Sequence, residues 1–289
     1  MKIELIANPV AGGNARSQID RAVAWLQARG ADVDLVLTEK RGDAQRAAAD
    51  AKAAGFDRII AAGGDGTLNE VVNGLAPSAV PLAFIPLGTT NVFALEVGIP
   101  FDLERACEIA LYGTPRPVCL GLADDTRFLL MAGIGFDAEV VAGVNLRVKR
   151  WLGKLAYLVS GLAVLLRSAS ANIEVVDEEG CRFQGCSAVI GNGRYYGGRF
   201  SITPKASLQD DALEVCLFRP QGRLGFLWSM IKIALGKSLA ESEAWRFKGR
   251  KLTVTGSRAA VQLDGDYHGC LPQTFCAVFG ELTLIYPAE

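Results

Sequence analysis

The sequence predicts two domains of different build: an α/β domain with a mostly parallel sheet over residues 1–117, and a mainly antiparallel β domain over 118–289. Three observations carry this. Strand and helix patterns alternate through the first third of the chain. Turns rich in Gly, Asn and Thr, at 8–13, 63–69 and 86–91, each follow a predicted strand. Near Pro115-Arg116-Pro117 the pattern changes to short β-runs.

Taken in order, Ile3–Ala7 reads as a strand and Asn8-Pro9-Val10-Ala11-Gly12-Gly13 as a turn. Ile19, Val23 and Leu26 recur at helical spacing within Ser17–Arg29, and Gly30 stops the helix. Val33–Leu37 is a strand, Ala44–Ala54 an alanine-rich helix ended by Gly55, and the apolar run Arg58–Ala62 a buried central strand. Pro81–Ile85 is the next strand, and helices follow at Phe93–Val97 and Leu103–Tyr112. In an open sheet of this kind ligands bind outside the carboxyl ends of the strands, where all three turns fall. The β-runs beyond are 118–122, 127–132, 172–177, 181–190, 212–218, 251–255, 259–263 and 274–286. Asp177-Glu178-Glu179-Gly180 reads as a hairpin turn, and helical insertions are expected near 151–167 and 223–236. The final strand is placed with the β domain or returning to the first one, and the cleft between domains is the expected site of chemistry.

At 289 residues, half of them hydrophobic, the chain can fill two cores. A formal net charge of −1 gives no attraction of the whole protein to nucleic acid or anionic lipid, so no nucleic-acid partner is expected. Seven Cys without a C-x-x-C pair read as mostly buried free thiols of a reducing cytosol. The chain enters a strand at Ile3, so no signal peptide is expected. Its longest apolar run, 155–166 between Lys154 and Arg167, is too short to span a membrane.

The stretch around which the chain is organised is Gly63-Gly64-Asp65-Gly66-Thr67, with Leu68-Asn69-Glu70-Val71-Val72-Asn73-Gly74-Leu75 behind it. Here a strand ends and a helix begins. Glycine lets backbone approach a ligand closely, and the helix N-terminus offers free N–H groups to phosphate. A tight turn alone would explain the glycines but not Asp65, Thr67, Asn69 and Glu70 crowded beside them. No Lys follows, so this is not a Walker loop. Gly236-Lys237-Ser238 fails that motif too, because position 231 is Ile. Gly133-Ile134-Gly135-Phe136-Asp137-Ala138 fits the dinucleotide fingerprint but lacks the acid that should follow, and reads as a glycine turn. On pattern alone Asp264-Gly265-Asp266 is a hairpin turn and 208–213 a solvated acidic loop. His268, the single His, reads as a solvent-facing turn residue.

Gly63–Thr67 with Asn69–Gly74 resembles the nucleotide motif of the diacylglycerol kinase catalytic-domain family, which includes bacterial diacylglycerol kinases, YegS-like lipid kinases and sphingosine and ceramide kinases. Asn8-Pro9…Gly12-Gly13 and Pro86–Asn91 resemble two further motifs, as do Gly191-Asn192-Gly193 with Tyr196-Gly197-Gly198, and Leu263-Asp264-Gly265-Asp266. The resemblance runs nearly end to end. It implies a first domain like those of NAD kinase and phosphofructokinase, a β-sandwich-like second domain, and transfer of the γ-phosphoryl group of ATP to a lipid hydroxyl with Mg²⁺. It also implies that ATP is bound by Asn8, Thr38, Gly63, Gly64, Asp65, Gly66, Thr67, Leu68, Asn69 and Thr89. Asp264 and Asp266 match an Asp-Gly-Glu whose last acid is the family's proton acceptor, and Asp65 is the third candidate catalytic carboxylate. A structural Mg²⁺ site is implied at the Asp211 carboxylate and the Leu208 and Leu213 carbonyls. All-oxygen ligands suit magnesium.

Three positions depart from the family. Asp266 replaces Glu and reaches about 1.5 Å less, so either Asp266 or Asp264 is the base. Val92 stands where many members carry Asp, and Gly13 where some carry Lys. The implied partner is a lipid, with peripheral contact at the cytoplasmic membrane face; a homodimer is left open. Arg147, Lys149, Arg150 and Lys154 around Trp151 read equally as a membrane-docking patch or a packed helix end. Leu224–Leu235, with Phe226, Trp228 and Met230, reads first as a core helix and second as an acyl-chain wall. The competing functions are a soluble-metabolite kinase of the same superfold and a non-catalytic nucleotide or lipid sensor.

Overall fold

The computed structural model describes residues 1–136, 138 and 172–288. The expected helix at 151–167 and the basic cluster around Trp151 lie outside them. In chain order the first part runs β1 (Lys2–Ala7), α1 (Ala15–Gln27), β2 (Asp32–Leu37), α2 (Asp43–Ala51), β3 (Arg58–Gly63), α3 (Asp65–Leu75), β4 (Leu82–Pro86), α4 (Val92–Val97) and α5 (Leu103–Tyr112). The strands pair in parallel in the order β2-β1-β3-β4. β3 and β4 are buried almost end to end, as continuous apolar runs in a covered sheet should be. The helices face the sheet through Ile19, Ala22 and Leu26 of α1, and Leu68, Val71, Val72 and Leu75 of α3.

The second part runs β5 (Thr114–Ala123), β6 (Thr126–Phe128), β7 (Met131–Ile134), β8 (Ile173–Val176), β9 (Arg182–Gly185), β10 (Ser187–Gly191), β11 (Tyr195–Tyr196), β12 (Phe200–Ser201) and β13 (Leu213–Phe218). It continues with α6 (Gly222–Ala234), β14 (Ala244–Gly249), β15 (Lys251–Gly256), β16 (Ala260–Leu263), β17 (Asp266–Cys270) and β18 (Gln273–Tyr286). One antiparallel sheet has the order β14-β13-β10-β7-β16-β17. β11 and β12 pair only with each other, and the remaining strands extend the first sheet, because β18 pairs in parallel with β4 at Leu284 and Leu82 and antiparallel with β15 and β5. Between the two sheets lies a core of Phe128, Ile134, Ile190, Val215, Val254 and Phe275, with the Phe128 and Phe275 rings edge to face at 6.5 Å. Each such fully buried side chain contributes about 1.5–3 kcal/mol.

Three expectations change on inspection of the strands. The run 127–132 is two strands: β6 belongs to one sheet and β7 to the other, with Leu129-Leu130 crossing between them. The run 181–190 divides in the same way at Cys186. β5 begins at Thr114 and passes through both prolines, since its outer side carries β6 only from Gly121 onward and no N–H is needed there. The hairpin turn at 177–180 is present, with Asp177 Oδ1 accepting the Glu179 and Cys181 N–H groups at 3.0 and 2.8 Å. Cys107, Cys119 and Cys216 are buried, Cys186 and Cys276 half-buried, and Cys181 and Cys270 exposed; all are free thiols. Among the described residues no helix is long and apolar enough to cross a membrane.

Candidate active site

The three turns at the ends of β1, β3 and β4 meet backbone to backbone. Leu87 and Gly88 N–H donate to the Gly63 carbonyl at 2.8 and 3.2 Å, and Asn8 N–H donates to Ala62 at 2.9 Å. A Cβ on Gly88 would stand 2.8 Å from Gly64 Cα, and one on Gly12 2.6 Å from the Leu87 carbonyl oxygen. Only glycine lets these loops close on one another. Asn8 adds a side-chain bond, Nδ2 donating to Thr67 Oγ1 at 3.3 Å.

Asp65 locks the arrangement. Its carboxylate accepts the Val92 and Phe93 N–H groups at 2.9 and 3.0 Å, capping α4 from across the site. Burial raises its pKa above the usual carboxylate range, while the Phe93 and Val92 bonds pull the other way. Asn91, just before α4, sits at φ 46° with Nδ2 donating to Gly88 and its buried Oδ1 unpartnered.

The β domain contributes the turn between β16 and β17. Asp264 and Gly265 take φ of 48° and 91° between the paired Leu263 and Asp266, so the hairpin turn is present, and both acids line the cleft. Asp264 Oδ2 accepts Asn69 Nδ2 at 2.8 Å and Leu129 N–H at 2.7 Å; Oδ1 accepts Leu130 and Met131 N–H, both at 2.9 Å. The donors to this carboxylate are therefore the strand crossing 129–131 and the first turns of α3. Burial pushes its pKa up, against the pull of those bonds. Four donors fill the four or so lone-pair sites of a carboxylate. Asp266 differs: its side chain is 60% exposed and meets only Arg41 Nη2, at 3.1 Å, among the contacts described.

These elements enclose a cleft of about 1230 Å³. Asn8, Thr38, Gly64, Asp65, Gly66, Thr67 and Thr89 line it on one side, and Asp264 and Asp266 on the other. Gly63 and Leu68 are buried beneath, and Asn69 holds Asp264. The far end is apolar, with Phe136, Val189, Ile202, Phe218, Phe226 and Met230. The Phe226 ring meets Phe136 and Phe218 edge to face at 4.9 and 5.2 Å. Two faces of α6 thus differ: Phe226 and Met230 turn to the cleft, while Leu224, Trp228, Ile231 and Leu235 are exposed.

The loop 208–213 lies apart from this cleft. Asp211 pairs with Arg250, Asp210 with Lys248, and the Leu208 carbonyl accepts Cys119 N–H at 2.7 Å. Leu213 opens β13, opposite Gly249. His268 is a correction: it stands within β17, half-buried, and burial lowers its pKa. Sequence reasoning also missed Arg41 and Glu96 as organisers, and named Asn73 only within the motif at 69–74. Glu96 accepts Arg194 and Tyr195 N–H at 2.9 and 3.1 Å, and Asn73 exchanges bonds of 2.9 and 2.8 Å with the Arg127 backbone.

The glycine turns of the α/β domain thus face a carboxylate-bearing β domain across a half-apolar cleft. The chain belongs to the diacylglycerol kinase catalytic-domain family. Residues 2–123 match the model of the diacylglycerol kinase catalytic domain, and 131–286 that of the YegS C-terminal NAD kinase beta sandwich-like domain. It is 30% identical to a diacylglycerol kinase of Bacillus subtilis, over 100% of this chain and 97% of the relative. It is 41% identical to a "Probable lipid kinase YegS-like" protein of Pseudomonas putida, over 73% of this chain and 72% of the relative. The crystal structure of a diacylglycerol kinase from Bacillus anthracis superposes with a TM-score of 0.81 at 28% identity, covering 99% of this chain and 96% of the other. Family membership implies the use of ATP.

Proposed function

We propose that this chain transfers the γ-phosphoryl group of ATP to the hydroxyl of a diacylglycerol-like membrane lipid, with Asp266 as the base. The observation that carries the reading is the single cleft with two unlike ends, one built of phosphate-sized turns and the other of Phe136, Phe218, Phe226 and Met230. Free N–H groups at the start of α3 and the turns at Asn8, Thr38 and Thr89 suit the ATP phosphates. The apolar end suits acyl chains.

Asp264 has its lone pairs filled by four N–H donors, so it positions; Asp266 is free to exchange its partner and accept a proton. In the transfer, the bond from the lipid oxygen to γ-phosphorus forms as the bond to the β,γ-bridging oxygen breaks. The hydroxyl proton passes to the Asp266 carboxylate, and the electron pair leaves on ADP. Magnesium with ATP supplies charge neutralisation. At the separate loop, the Leu208 and Leu213 carbonyls and Asp211 are an all-oxygen set that fits a structural Mg²⁺, with Asp211 then exchanging Arg250 for the cation. The exposed stripe Leu224, Trp228, Ile231 and Leu235 supports peripheral contact with a bilayer, on the cytoplasmic side where ATP is available.

The test is transfer of label from γ-labelled ATP, with magnesium, into a bacterial lipid extract in mixed micelles, beside a parallel reaction with NAD. Label in an organic-extractable product is the expected result. Label in NAD alone would make the chain a soluble-metabolite kinase. ATP binding with no labelled acceptor would make it a sensor.

A further inference from the structure

We propose that Arg41 grips the γ-phosphoryl group during transfer, and that its ion pair with Asp266 is the resting form of that contact; this rests on the kinase reading above. Arg41 lies in the loop after β2, at the carboxyl edge of the parallel sheet and three residues beyond Thr38, which lines the cleft. The loop backbone is pinned from below, because Asp43 Oδ2 accepts the Glu39 and Lys40 N–H groups at 3.0 and 2.9 Å. A long side chain on a fixed base reaches across the cleft to a carboxylate 225 positions away in sequence.

Charge in the cleft gives that reach a purpose. Glu39, Asp65, Glu70, Asp264 and Asp266 line it, and the positive charges among the described lining residues are Lys40 and Arg41. The turn at Gly63–Thr67 carries no Lys of its own. ATP therefore enters a site rich in carboxylates, and phosphoryl transfer needs cationic groups on the equatorial oxygens. A guanidinium fork matches those oxygens in two-point contact.

The pair with Asp266 is built to exchange. Its two side chains are 76% and 60% exposed, whereas Glu96 in the pair with Arg194 is 4% exposed. An exposed pair is loosely held and screened by salt. When ATP occupies the cleft, Arg41 moves from Asp266 to the γ-phosphoryl group. That movement frees the Asp266 carboxylate to take the hydroxyl proton, and Arg41 stays protonated throughout.

Calorimetric titrations of ATP and of ADP, both with magnesium, into wild type, Arg41→Ala and Arg41→Lys provide the test, beside steady-state turnover. Arg41→Ala should leave ADP affinity unchanged and reduce the preference for ATP over ADP by about tenfold. Turnover should fall about 100-fold and recover in part on adding guanidinium ion, with Arg41→Lys between the two. Unchanged ATP preference and turnover would overturn the proposal, as would equal losses of ATP and ADP affinity. A wild-type protein that transfers phosphate while Arg41→Ala behaves like it refutes Arg41 alone; a wild type without ATP binding refutes the kinase reading and this contact with it.

Discussion

Asp264 and Asp266 stand two positions apart on one hairpin, yet the first is enclosed by Asn69 and the 129–131 backbone while the second faces solvent and Arg41. Their sequence context is the same pair of acids around a glycine, so which one is saturated with donors could not be read there. It depends on Leu129–Met131, a strand crossing more than 130 residues earlier. Asp65 stood out in the sequence as a carboxylate among glycines, but its cap on α4 needs a partner 27 residues away. A second buried acid gives a test of the electrostatics. Glu4 is paired in register with Asp34, and burial with the charges of Asp34 and Asp50 raises its pKa to about 7 from 4.5. The folded state therefore holds a proton that the unfolded chain has released between about pH 4.5 and 7, and stability falls as pH rises through that window. Glu4→Gln should raise stability by ~1–3 kcal/mol at about pH 8 and leave it unchanged near pH 4. Urea midpoints at the two pH values decide it, and an equal shift at both would rule out titration as the cause.

Element by element, periodicity located α1, α3 and α5 because each has one clear apolar stripe against the sheet. It failed where β6 passes into β7 and β9 into β10, since a strand can leave one sheet for another without a turn signal. α3 also carries a constraint beyond its stripe. A Cβ on Gly74 would overlap the Gln45 carbonyl oxygen of α2 and stand 3.0 Å from Ala48 Cβ, so the two helices touch at their backbones. Gly74→Ala should cost about 1–3 kcal/mol by forcing α2 away, against the small gain Ala brings to a free helix. Thermal unfolding that shows a midpoint at or above wild type would mean the helices separate freely.

Across the whole molecule, the two domains are tied by polar contacts gathered around the cleft. Asn69 and Asn73 on α3 reach Asp264 and the Arg127 backbone, Glu96 on α4 holds Arg194 and Tyr195, Arg127 pairs with Glu281 at 2.7 Å, and β18 joins both parts of one sheet. The order of motifs in the chain announced both domains, but Glu96 gave no signal, because its partners, the Arg194 and Tyr195 N–H groups and the Arg194 guanidinium, lie in the other domain. In the proposed function this assembly divides the labour: the turns at Asn8, Gly63–Thr67 and Thr89 take the nucleotide, and β17 supplies the base. The most direct measurement is the rate of label transfer from ATP to lipid by Asp266→Asn, with ATP affinity measured on the same protein. Transfer should fall by at least about 100-fold while ATP still binds within about threefold of wild type, since the altered side chain is exposed and the fold does not lean on it. Transfer at the wild-type rate would contradict the assignment of Asp266 as the base that faces the γ-phosphoryl group across the cleft.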